Sequence, residues 1–464
     1  MIAGNTTFRS FGSMSREPGI HGLPEQQQAV SMTFMRRIVI LSAPVFCAAV
    51  WTCSVRAGEA FFLKDGQTVV FFGDSITENG LYVEYVDAFV RTRFPAMRLR
   101  VFNRGISSET LSGTSEADHQ PRRPCALDRF SRDVASLGPD VVVACFGMND
   151  GNYLPFETER FARFQAGVKS LIERTNMETK ATLVLLTPPP YDPYRRRVLL
   201  PTATQYGYQF PAVDYDNTLQ QYGHWMLTIA ERNVSVVDLH AAMSAHLRGR
   251  REKNVSFSFQ DDGIHPNATG HWLMAQTLLA AWNAPAVCDE ACIDAAGLQV
   301  RGGAVVDLRR EGHGLGFTWR TALPMPMDER WDAESIALEQ VRDRFNRHRL
   351  VITGLARGRY RLLADGEVFA TAGDDQLKAG LDLLECPAFP TNVLSQRVLA
   401  GVRERQRVLY NAWRRRIAAS QPSAEIRDRL VDAETKAERI EIELRRMCEP
   451  KDVRLRIEPI QADR

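Results

Sequence analysis

The chain has 464 residues, of which 44% are hydrophobic and 25% are charged. That balance is typical of a soluble globular protein and excludes a chain that is disordered throughout. The 58 Lys and Arg residues nearly balance the 56 Asp and Glu residues, which leaves a formal net charge of +2. This charge gives no reason to expect nucleic acid or an acidic membrane as a partner. At this length we expect roughly two or three domains.

The first part of the chain predicts an export signal. Two arginines follow Met35 and precede a short, mostly apolar run over residues 38–51. Small residues then favour cleavage between Ala57 and Gly58. We therefore expect residues 1–57 to be a presequence that starts at Met35, and the mature protein to be secreted or periplasmic. The apolar run is shorter than the roughly 20 residues of a membrane span, so we expect no stable membrane insertion after cleavage. An uncleaved anchor is the alternative.

Residues 67–282 alternate apolar runs with amphipathic stretches, which is the pattern of a parallel sheet built from βα repeats. Helices are predicted around residues 82–90, 161–172 and 271–282, from the spacing of their apolar positions. The apolar runs predict strands at residues 69–72, 99–102, 141–146, 182–186 and 234–237.

A long loop over residues 188–214 interrupts this alternation. It contains several prolines and tyrosines and the basic run 195–197. Loops of this length are often functional, and tyrosine rings can stack on sugars. Tyr191, Tyr194 and Arg195 are therefore candidate substrate-binding residues. A variable surface loop is the alternative.

The pattern changes beyond about residue 285. Residues 286–390 carry short alternating runs with glycine turn signals, which predicts a small β-rich unit. Residues 391–464 predict a long helical hairpin followed by a C-terminal tail, and an intermolecular coiled coil is the alternative. The second helix has a packing seam with 4–3 spacing, formed by Ile426, Leu430, Ala433, Ala437, Ile440, Leu444 and Met447.

The cysteines do not form a metal-binding pattern. The sequence has no Cys-x-x-Cys pair and no Cys/His spacing of the metal-binding kind, so we expect no metal site. Cys288 and Cys292 lie close enough in sequence to bridge, and Cys145 at the end of an apolar run predicts a buried thiol. The disulfide pairing stays open.

A serine follows the first predicted strand in the segment Gly73-Asp74-Ser75. Ligands of open α/β sheets bind at the carboxyl ends of the strands. Ser75 would lie there at a helix N-terminus, where unpaired N–H groups favour a developing anion. Gly73 would allow the tight turn. A serine that only caps the helix is the alternative.

The other end of the same domain offers a base for this serine. His265 follows Asp262 by three residues, just before the closing helix. A serine nucleophile needs a base, and the base needs a partner that fixes its tautomer. The carboxylate of Asp262 could reach one ring nitrogen while the other faces Ser75. A loop histidine with an incidental acidic neighbour is the alternative.

Two further turns follow neighbouring strands at the same edge of the sheet and could form an oxyanion hole. Gly105 ends the segment Asn103-Arg104-Gly105, and its backbone N–H could face a ligand. Asn149 follows the third strand and offers a side-chain amide. Each could instead be a plain turn, since Gly and Asn favour turns.

Taken in order, these segments resemble the motifs of the SGNH (GDSL-like) hydrolase family. The resemblance covers about residues 67–282 and is carried by residues 72–80, 103–107, 147–150 and 262–266. It implies a three-layer αβα sandwich around a parallel sheet, of the flavodoxin-like kind, over residues 58–285. The reaction that the resemblance implies requires no cofactor, either metal or organic. One departure is Ser108, where many relatives have glycine.

The resemblance also implies a role for each motif residue. The catalytic triad would be Ser75 as nucleophile, His265 as base and Asp262 as its partner. Gly73 and Asp74 would support the nucleophile. The oxyanion donors would be the N–H groups of Ser75 and Gly105 and the side chain of Asn149.

We therefore expect a secreted serine esterase that hydrolyses carboxylic esters through an acyl-enzyme. Export, the loop rich in Tyr and Arg, and the lack of an obviously apolar lid favour a carbohydrate O-acetyl esterase, acting on a small-molecule or polysaccharide ester. A lipase, lysophospholipase or thioesterase of the same family is the alternative within this class. An alternative of another class is a non-catalytic surface protein that binds carbohydrate or a partner. The sequence leaves the oligomeric state, the acyl length and the role of the C-terminal region open.

Overall fold

The computed structural model describes residues 60–418 and 423–460. The predicted presequence over residues 1–57 therefore lies outside the described residues. Within the described ranges, no helix is both long and apolar enough to cross a membrane.

Five short apolar strands form a parallel sheet in the first half of the chain. They are β1 (Thr68–Gly73), β2 (Arg100–Gly105), β3 (Val141–Cys145), β4 (Thr182–Leu186) and β5 (Val234–Val237). Their order across the sheet is β2-β1-β3-β4-β5, which is the flavodoxin-like order. Every residue of β1 and β3 is buried, as strands covered on both faces should be. All five predicted strands are confirmed, with β2 extending three residues further than its apolar run.

Helices cover both faces of this sheet, so the predicted three-layer αβα sandwich is confirmed. Val69 and Phe71 of β1 point into one core, and Val70 and Phe72 point into the other. Helices α2, α6, α7 and the first half of α5 cover the first core, and α3, α4 and the second half of α5 cover the second. The helices are α1 (Ser75–Asn79), α2 (Leu81–Arg93), α3 (Phe130–Asp133), α4 (Thr158–Glu178), α5 (Tyr215–Met226), α6 (Leu239–Arg251) and α7 (Ala268–Ala281).

Two further sheets form the β-rich unit of the extension, as predicted. One has the order β13-β10-β6-β7 and the other the order β12-β11-β14-β9-β8. Their facing side chains share a third core. The strands are β6 (Val287–Asp294), β7 (Gln299–Gly302), β8 (Val305–Glu311), β9 (Gly314–Thr321), β10 (Arg347–Thr353), β11 (Arg359–Ala364), β12 (Glu367–Gly373), β13 (Leu381–Asp382) and β14 (Lys451–Pro459). Short helices α8 (Ala333–Leu338), α9 (Val341–Phe345) and α10 (Asp374–Ala379) lie between them.

The last strand corrects the expectation of a plain C-terminal tail. β14 comes after the helical hairpin, yet it lies between β9 and β11 at the middle of its sheet. Its alternating side chains Val453, Leu455 and Ile457 are buried in the core of the β-rich unit. The β-rich unit is therefore completed only by the end of the chain.

Cys288 and Cys292 do not form the bridge that their spacing allowed. Both lie in the extended strand β6. Four residues of strand separate Cα atoms by about 13 Å, and a disulfide tolerates at most about 7 Å. Cys145 is a buried thiol, as predicted.

The predicted helical hairpin consists of α11 (Pro390–Ala418) and α12 (Ala424–Cys448). Ala437 and Leu444 of the predicted seam are buried. Val398 and Val402 of α11 belong to the same core as the inner face of α2. The hairpin is therefore packed against the helical layer of the αβα sandwich.

A buried cluster of charges joins the hairpin to α2. Arg91 donates two parallel hydrogen bonds to the Glu441 carboxylate, at 2.9 and 2.8 Å. The Arg405 guanidinium lies 3.0 Å from the same carboxylate. Arg91 also donates to Asp87 one turn earlier on α2, at 2.8 Å. Because buried charges are costly when they lose their partners, this cluster ties the position of α12 to that of α2.

We predict that Glu441→Ala lowers the free energy of unfolding by about 3 kcal/mol or more, because it leaves Arg91 and Arg405 buried without their carboxylate. Urea denaturation measures the change. Glu425→Ala on the same helix is the matched control, because Glu425 pairs with Arg429 in the open, where the side chains are 71% and 59% exposed. Equal stability of the two variants would contradict the prediction.

Candidate active site

Ser75 is the first residue of α1, directly after β1. The preceding Asp74 caps the helix, because its Oδ1 accepts the N–H of Ile76 at 3.0 Å. Asp74 is only 1% exposed, and this burial raises the pKa of its carboxyl to about 7. The cap fixes where α1 begins and therefore where the Ser75 hydroxyl lies.

Gly73 is required for space and not for a left-handed turn. A Cβ atom at this position would lie 2.1 Å from Thr77 Oγ1 and 2.7 Å from the carbonyl oxygen of Cys145. Its φ angle is not positive. The glycine beside the nucleophile was predicted, but its physical reason is the close approach of Thr77 and of the β3 backbone to the end of β1.

The three predicted triad residues meet in one hydrogen-bonded chain. Ser75 Oγ lies 2.9 Å from His265 Nε2. His265 Nδ1 lies 2.7 Å from Asp262 Oδ2. The other oxygen of Asp262 accepts the backbone N–H groups of Ile264 and His265, at 2.9 and 2.8 Å. The carboxylate is therefore held in place by the same turn that carries the histidine.

The pKa shifts in this hydrogen-bonded triad suit His265 to act as a base. Burial alone would raise the pKa of Asp262, but hydrogen bonds from His265 outweigh it and hold the pKa at about 2. Burial lowers the pKa of His265, but its hydrogen bond and charge interaction with Asp262 prevail and raise it above the ordinary 6.5. Asp262 is thus an anion at neutral pH, and it stabilises the protonated form of the imidazole.

Neighbouring loops hold the turn that carries His265. The side-chain amide of Gln260 donates to the carbonyls of Pro190 and Ile264, at 2.7 and 3.1 Å. The backbone N–H of Asp192 donates to the carbonyl of Gly263 at 2.9 Å. The long loop after β4 therefore lies against the catalytic turn. Gln260 was not predicted, because a lone glutamine in a loop carries no motif signal.

Asn149 lies in the turn that follows β3, and the last residue of β3, Cys145, pairs with Gly73 at the end of β1. Its Nδ2 donates to the carbonyl of Glu109 at 3.0 Å. Its Oδ1 accepts from Arg123 Nη1 at 3.0 Å and from the Tyr153 hydroxyl at 3.1 Å. These contacts fix the orientation of the amide. One Nδ2 hydrogen is left without an acceptor among the described residues, so it can serve a ligand.

The structure does not support the predicted role of the Gly105 N–H as an oxyanion donor. That N–H donates to Asn103 Oδ1 at 2.8 Å. A Cβ atom at Gly105 would lie 2.2 Å from the backbone nitrogen of Glu78. The glycine is therefore needed because the end of β2 approaches α1 closely, and its N–H is already used.

Ser108, three residues further on, offers a backbone N–H in its place. Its φ angle is 68°, in the left-handed region that favours glycine. No acceptor for its N–H lies among the residues the structure describes. Its carbonyl accepts from Arg123 Nη1 at 3.4 Å, and the same guanidinium nitrogen binds Asn149. The sequence held a signal for this position, because Ser108 is the departure from the family motif.

The three candidate substrate-binding residues have different surroundings. Tyr191 is only 2% exposed and packs against Tyr215 at 5.6 Å between ring centroids. It belongs to the core and cannot stack on a sugar, so the prediction is wrong for this residue. Tyr194 is 81% exposed, with the Arg251 guanidinium over one face of its ring. Arg195 donates to a backbone carbonyl of a neighbouring loop at 2.6 Å.

The comparisons with known proteins define the class. Residues 71–273 match the model of the GDSL-like lipase/acylhydrolase family. Ser75, Asn149, Asp262 and His265 all lie within the matched residues. This part of the chain belongs to the GDSL-like lipase/acylhydrolase (SGNH) family, and the protein is a carboxylic ester hydrolase.

Particular relatives cover different parts of the chain. An acetylxylan esterase of Geobacillus stearothermophilus is 27% identical over 244 residues, which are 47% of this chain and 94% of that protein. A gut microbial diltiazem-metabolizing enzyme aligns over 86% of this chain and 98% of its own, with 20% identity and a TM-score of 0.72. The two therefore share a fold that includes the C-terminal extension. The crystal structure of Axe2, an acetylxylan esterase from Geobacillus stearothermophilus, aligns over 48% of this chain and 96% of its own, with 25% identity and a TM-score of 0.36.

Metal ligands were not expected from the sequence. In the part of the chain that the structure describes, no group of three or more His, Cys, Asp and Glu side chains is arranged to hold a metal ion.

We predict that the His265 imidazole titrates above 6.5 in the intact protein, and that Asp262→Asn lowers its pKa below that value. The reason is that burial then acts without the opposing carboxylate. NMR titration of the histidine rings measures both values, with the signal assigned by a His265→Gln variant. Asp261→Asn is the matched control, since this exposed neighbour has no hydrogen bond to His265. An Asp262→Asn protein whose His265 pKa equals that of Asp261→Asn would contradict the prediction.

Proposed function

We propose that the protein is a serine esterase that removes acetyl groups from carbohydrates, with Ser75 as the nucleophile. The observation that carries the proposal is the unbroken chain of hydrogen bonds from Ser75 through His265 to Asp262. In this chain a hydroxyl can lose its proton to a base whose other nitrogen is held by a carboxylate. A helix-capping serine would need no such partner, and Asp74 already caps α1.

The reaction proceeds by acyl transfer. His265 Nε2 takes the proton of Ser75 as the hydroxyl oxygen attacks the ester carbonyl. The protonated imidazole is stabilised by Asp262 and then gives its proton to the departing alcohol. Water repeats the same steps on the acetyl-Ser75 ester, which releases acetate and restores the serine.

Three donors hold the oxyanion in this proposal. They are the backbone N–H of Ser75, the free Nδ2 hydrogen of Asn149 and the backbone N–H of Ser108, which replaces Gly105 in the sequence-based assignment. Arg123 supports this role, because its cation lies 3.0 Å from Asn149 Oδ1 and draws electron density away from the amide. A buried pair with Glu116, at 2.6 Å, keeps Arg123 in place.

The polar surroundings of Asn149 favour a short acyl group and a hydrophilic substrate. Arg123 and Tyr153 contact the Asn149 amide directly. Tyr208 packs against both, at 5.5 and 5.4 Å between ring or guanidinium centres. A long alkyl chain needs a continuous apolar wall, which these groups do not provide.

Two further observations favour a carbohydrate ester. The similar protein from Geobacillus stearothermophilus is named an acetylxylan esterase. Tyr194 presents an exposed ring on the loop that lies against the catalytic turn, where it could stack on a sugar. The export signal predicted from the sequence before Gly58 also favours a polymeric substrate.

The experiment is hydrolysis of p-nitrophenyl acetate, butyrate and octanoate by the protein and by its Ser75→Ala variant, followed by acetate release from acetylated xylan. We expect acetate to be the fastest of the three esters, the variant to be inactive, and acetylated xylan to release acetate. The physical reasons are the polar groups around Asn149 and the loss of the only proposed nucleophile.

Each other outcome has a definite meaning. A preference for octanoate would keep the nucleophile but replace the carbohydrate substrate by a lipid or thioester. An active Ser75→Ala variant would remove Ser75 from the reaction. A well-folded protein with no activity on any of these esters would contradict the proposed function and favour a binding role.

A further inference from the structure

The Glu78 carboxylate joins the catalytic domain to the C-terminal hairpin. Glu78 lies on α1, three residues after Ser75. Its Oε2 accepts the backbone N–H of Ser107 at 2.6 Å and also the Ser107 hydroxyl. Its Oε1 accepts the hydroxyl of Tyr410 on α11 at 2.7 Å. The same hydroxyl lies 3.0 Å from the carbonyl of Gly105.

The contacts with Ser107 and Gly105 fall on residues 105–109, which we call the oxyanion loop. The loop carries the Ser108 N–H and, through the carbonyl of Glu109, contacts the Asn149 amide. Ser107 is exposed, so packing does not hold this part of the loop. Ser108 is in a conformation that is unfavourable for residues other than glycine. A loop of this kind needs fixed hydrogen bonds to keep its N–H in place.

A second contact from α11 reaches the other end of the loop. The ring of Trp413 is only 3% exposed, and the guanidinium groups of Arg104 and Arg129 lie over it at 4.7 and 5.6 Å. Arg129 donates to the carbonyl of Arg104 at 2.8 Å and to the Glu109 carboxylate at 2.6 Å. The hairpin therefore contacts the oxyanion loop directly at Gly105 and is linked to Glu109 through Arg129.

The charge of Glu78 agrees with this arrangement. Burial would raise the pKa of Glu78, but hydrogen bonds from Ser107 and Tyr410 outweigh it and hold the pKa below its usual value. An ionised carboxylate makes stronger hydrogen bonds than a neutral one. The Tyr410 hydroxyl can therefore restrain Ser107 through a single charged group.

We propose that the C-terminal hairpin is part of the catalytic unit, and that Tyr410 is a positioning residue that holds the oxyanion loop through Glu78. The inference rests on the proposed function and gives the C-terminal extension a role in it. Tyr410 lies outside residues 71–273, which match the family model. The extension thus adds a support that the matched domain does not contain.

The test is the Tyr410→Phe variant, which removes one hydroxyl and keeps the ring. We expect kcat for p-nitrophenyl acetate to fall about tenfold, less than the 10²–10³ that follows removal of a donor itself. KM should change less than about twofold, because the loop acts on the transition state. Rates are expressed per active site, titrated with a fluorophosphonate, so that unfolded protein does not count.

Three controls separate positioning from general destabilisation. Tyr360→Phe is the matched variant, because its buried hydroxyl donates to the Ala356 carbonyl at 2.7 Å in the β-rich unit, and it should keep the wild-type kcat. The pH at which activity reaches half its maximum should be the same in Tyr410→Phe and wild type, since His265 is untouched. The loss in the double variant Tyr410→Phe/Glu78→Gln should be smaller than the two single losses combined, because both residues act on the same loop through the Glu78 carboxylate.

The outcomes distinguish failure of the hairpin's role from failure of the proposed function. A Tyr410→Phe enzyme with the kcat of Tyr360→Phe overturns the inference. A loss confined to KM, or one that adds fully to that of Glu78→Gln, also overturns it. If the wild-type protein hydrolyses no ester, or Ser75→Ala is equally active, the proposed function fails and this inference fails with it. An active wild type with an unaffected Tyr410→Phe variant refutes only the role of the hairpin.

Discussion

Helix α1 packs so closely against the carboxyl ends of β1 and β2 that neither Gly73 nor Gly105 has room for a side chain. A Cβ atom at Gly73 would collide with Thr77 and with the backbone of β3, and one at Gly105 would collide with the backbone of Glu78. Because the backbones touch, the position of α1 is set by the sheet itself. Ser75 and Glu78 are both on this helix, so the proposed nucleophile and the support of the oxyanion loop share one fixed frame.

Charged and polar groups then attach the loops to this frame. Asp150 is fully buried, and its carboxylate accepts the backbone N–H groups of Leu111, Ser112 and Gly147, at 2.9, 2.8 and 3.1 Å. Burial raises the pKa of Asp150 to about 6, although these hydrogen bonds oppose the shift. Backbone N–H groups that would otherwise be buried without partners are satisfied in this way. The loops after β2 and β3 are therefore held as one unit around Asn149.

The sequence was sufficient for features that depend on local pattern. Apolar runs such as residues 141–145 predict strands because a strand covered on both faces has no polar side. Asp262 and His265 were predicted together because three residues of turn bring the carboxylate to the ring.

Other features depend on contacts between distant segments. The use of the Gly105 N–H depends on how Asn103 is held by α1, and the burial of Tyr191 depends on how the long loop packs against Tyr215. Neither of these contacts produces a periodic pattern in the sequence.

The same limit explains the C-terminal extension. The hairpin was predictable from its 4–3 spacing, but the contact of Tyr410 with Glu78 joins residues far apart in the chain and leaves no trace in either segment. Strand β14 was missed because a single strand after a long helix has no neighbour in sequence with which to form a hairpin. Its partners β9 and β11 come before the helices.

The most direct test of the account is to identify the residue that a fluorophosphonate ester modifies. The protein is inactivated with the reagent, digested, and the adduct is located by mass spectrometry of its peptides. The account predicts one adduct per chain, on Ser75, that forms in proportion to the loss of esterase activity and is absent from the Ser75→Ala variant. Complete inactivation with the adduct on another residue, or full activity after Ser75 is modified, would contradict the claim that Ser75 is the nucleophile.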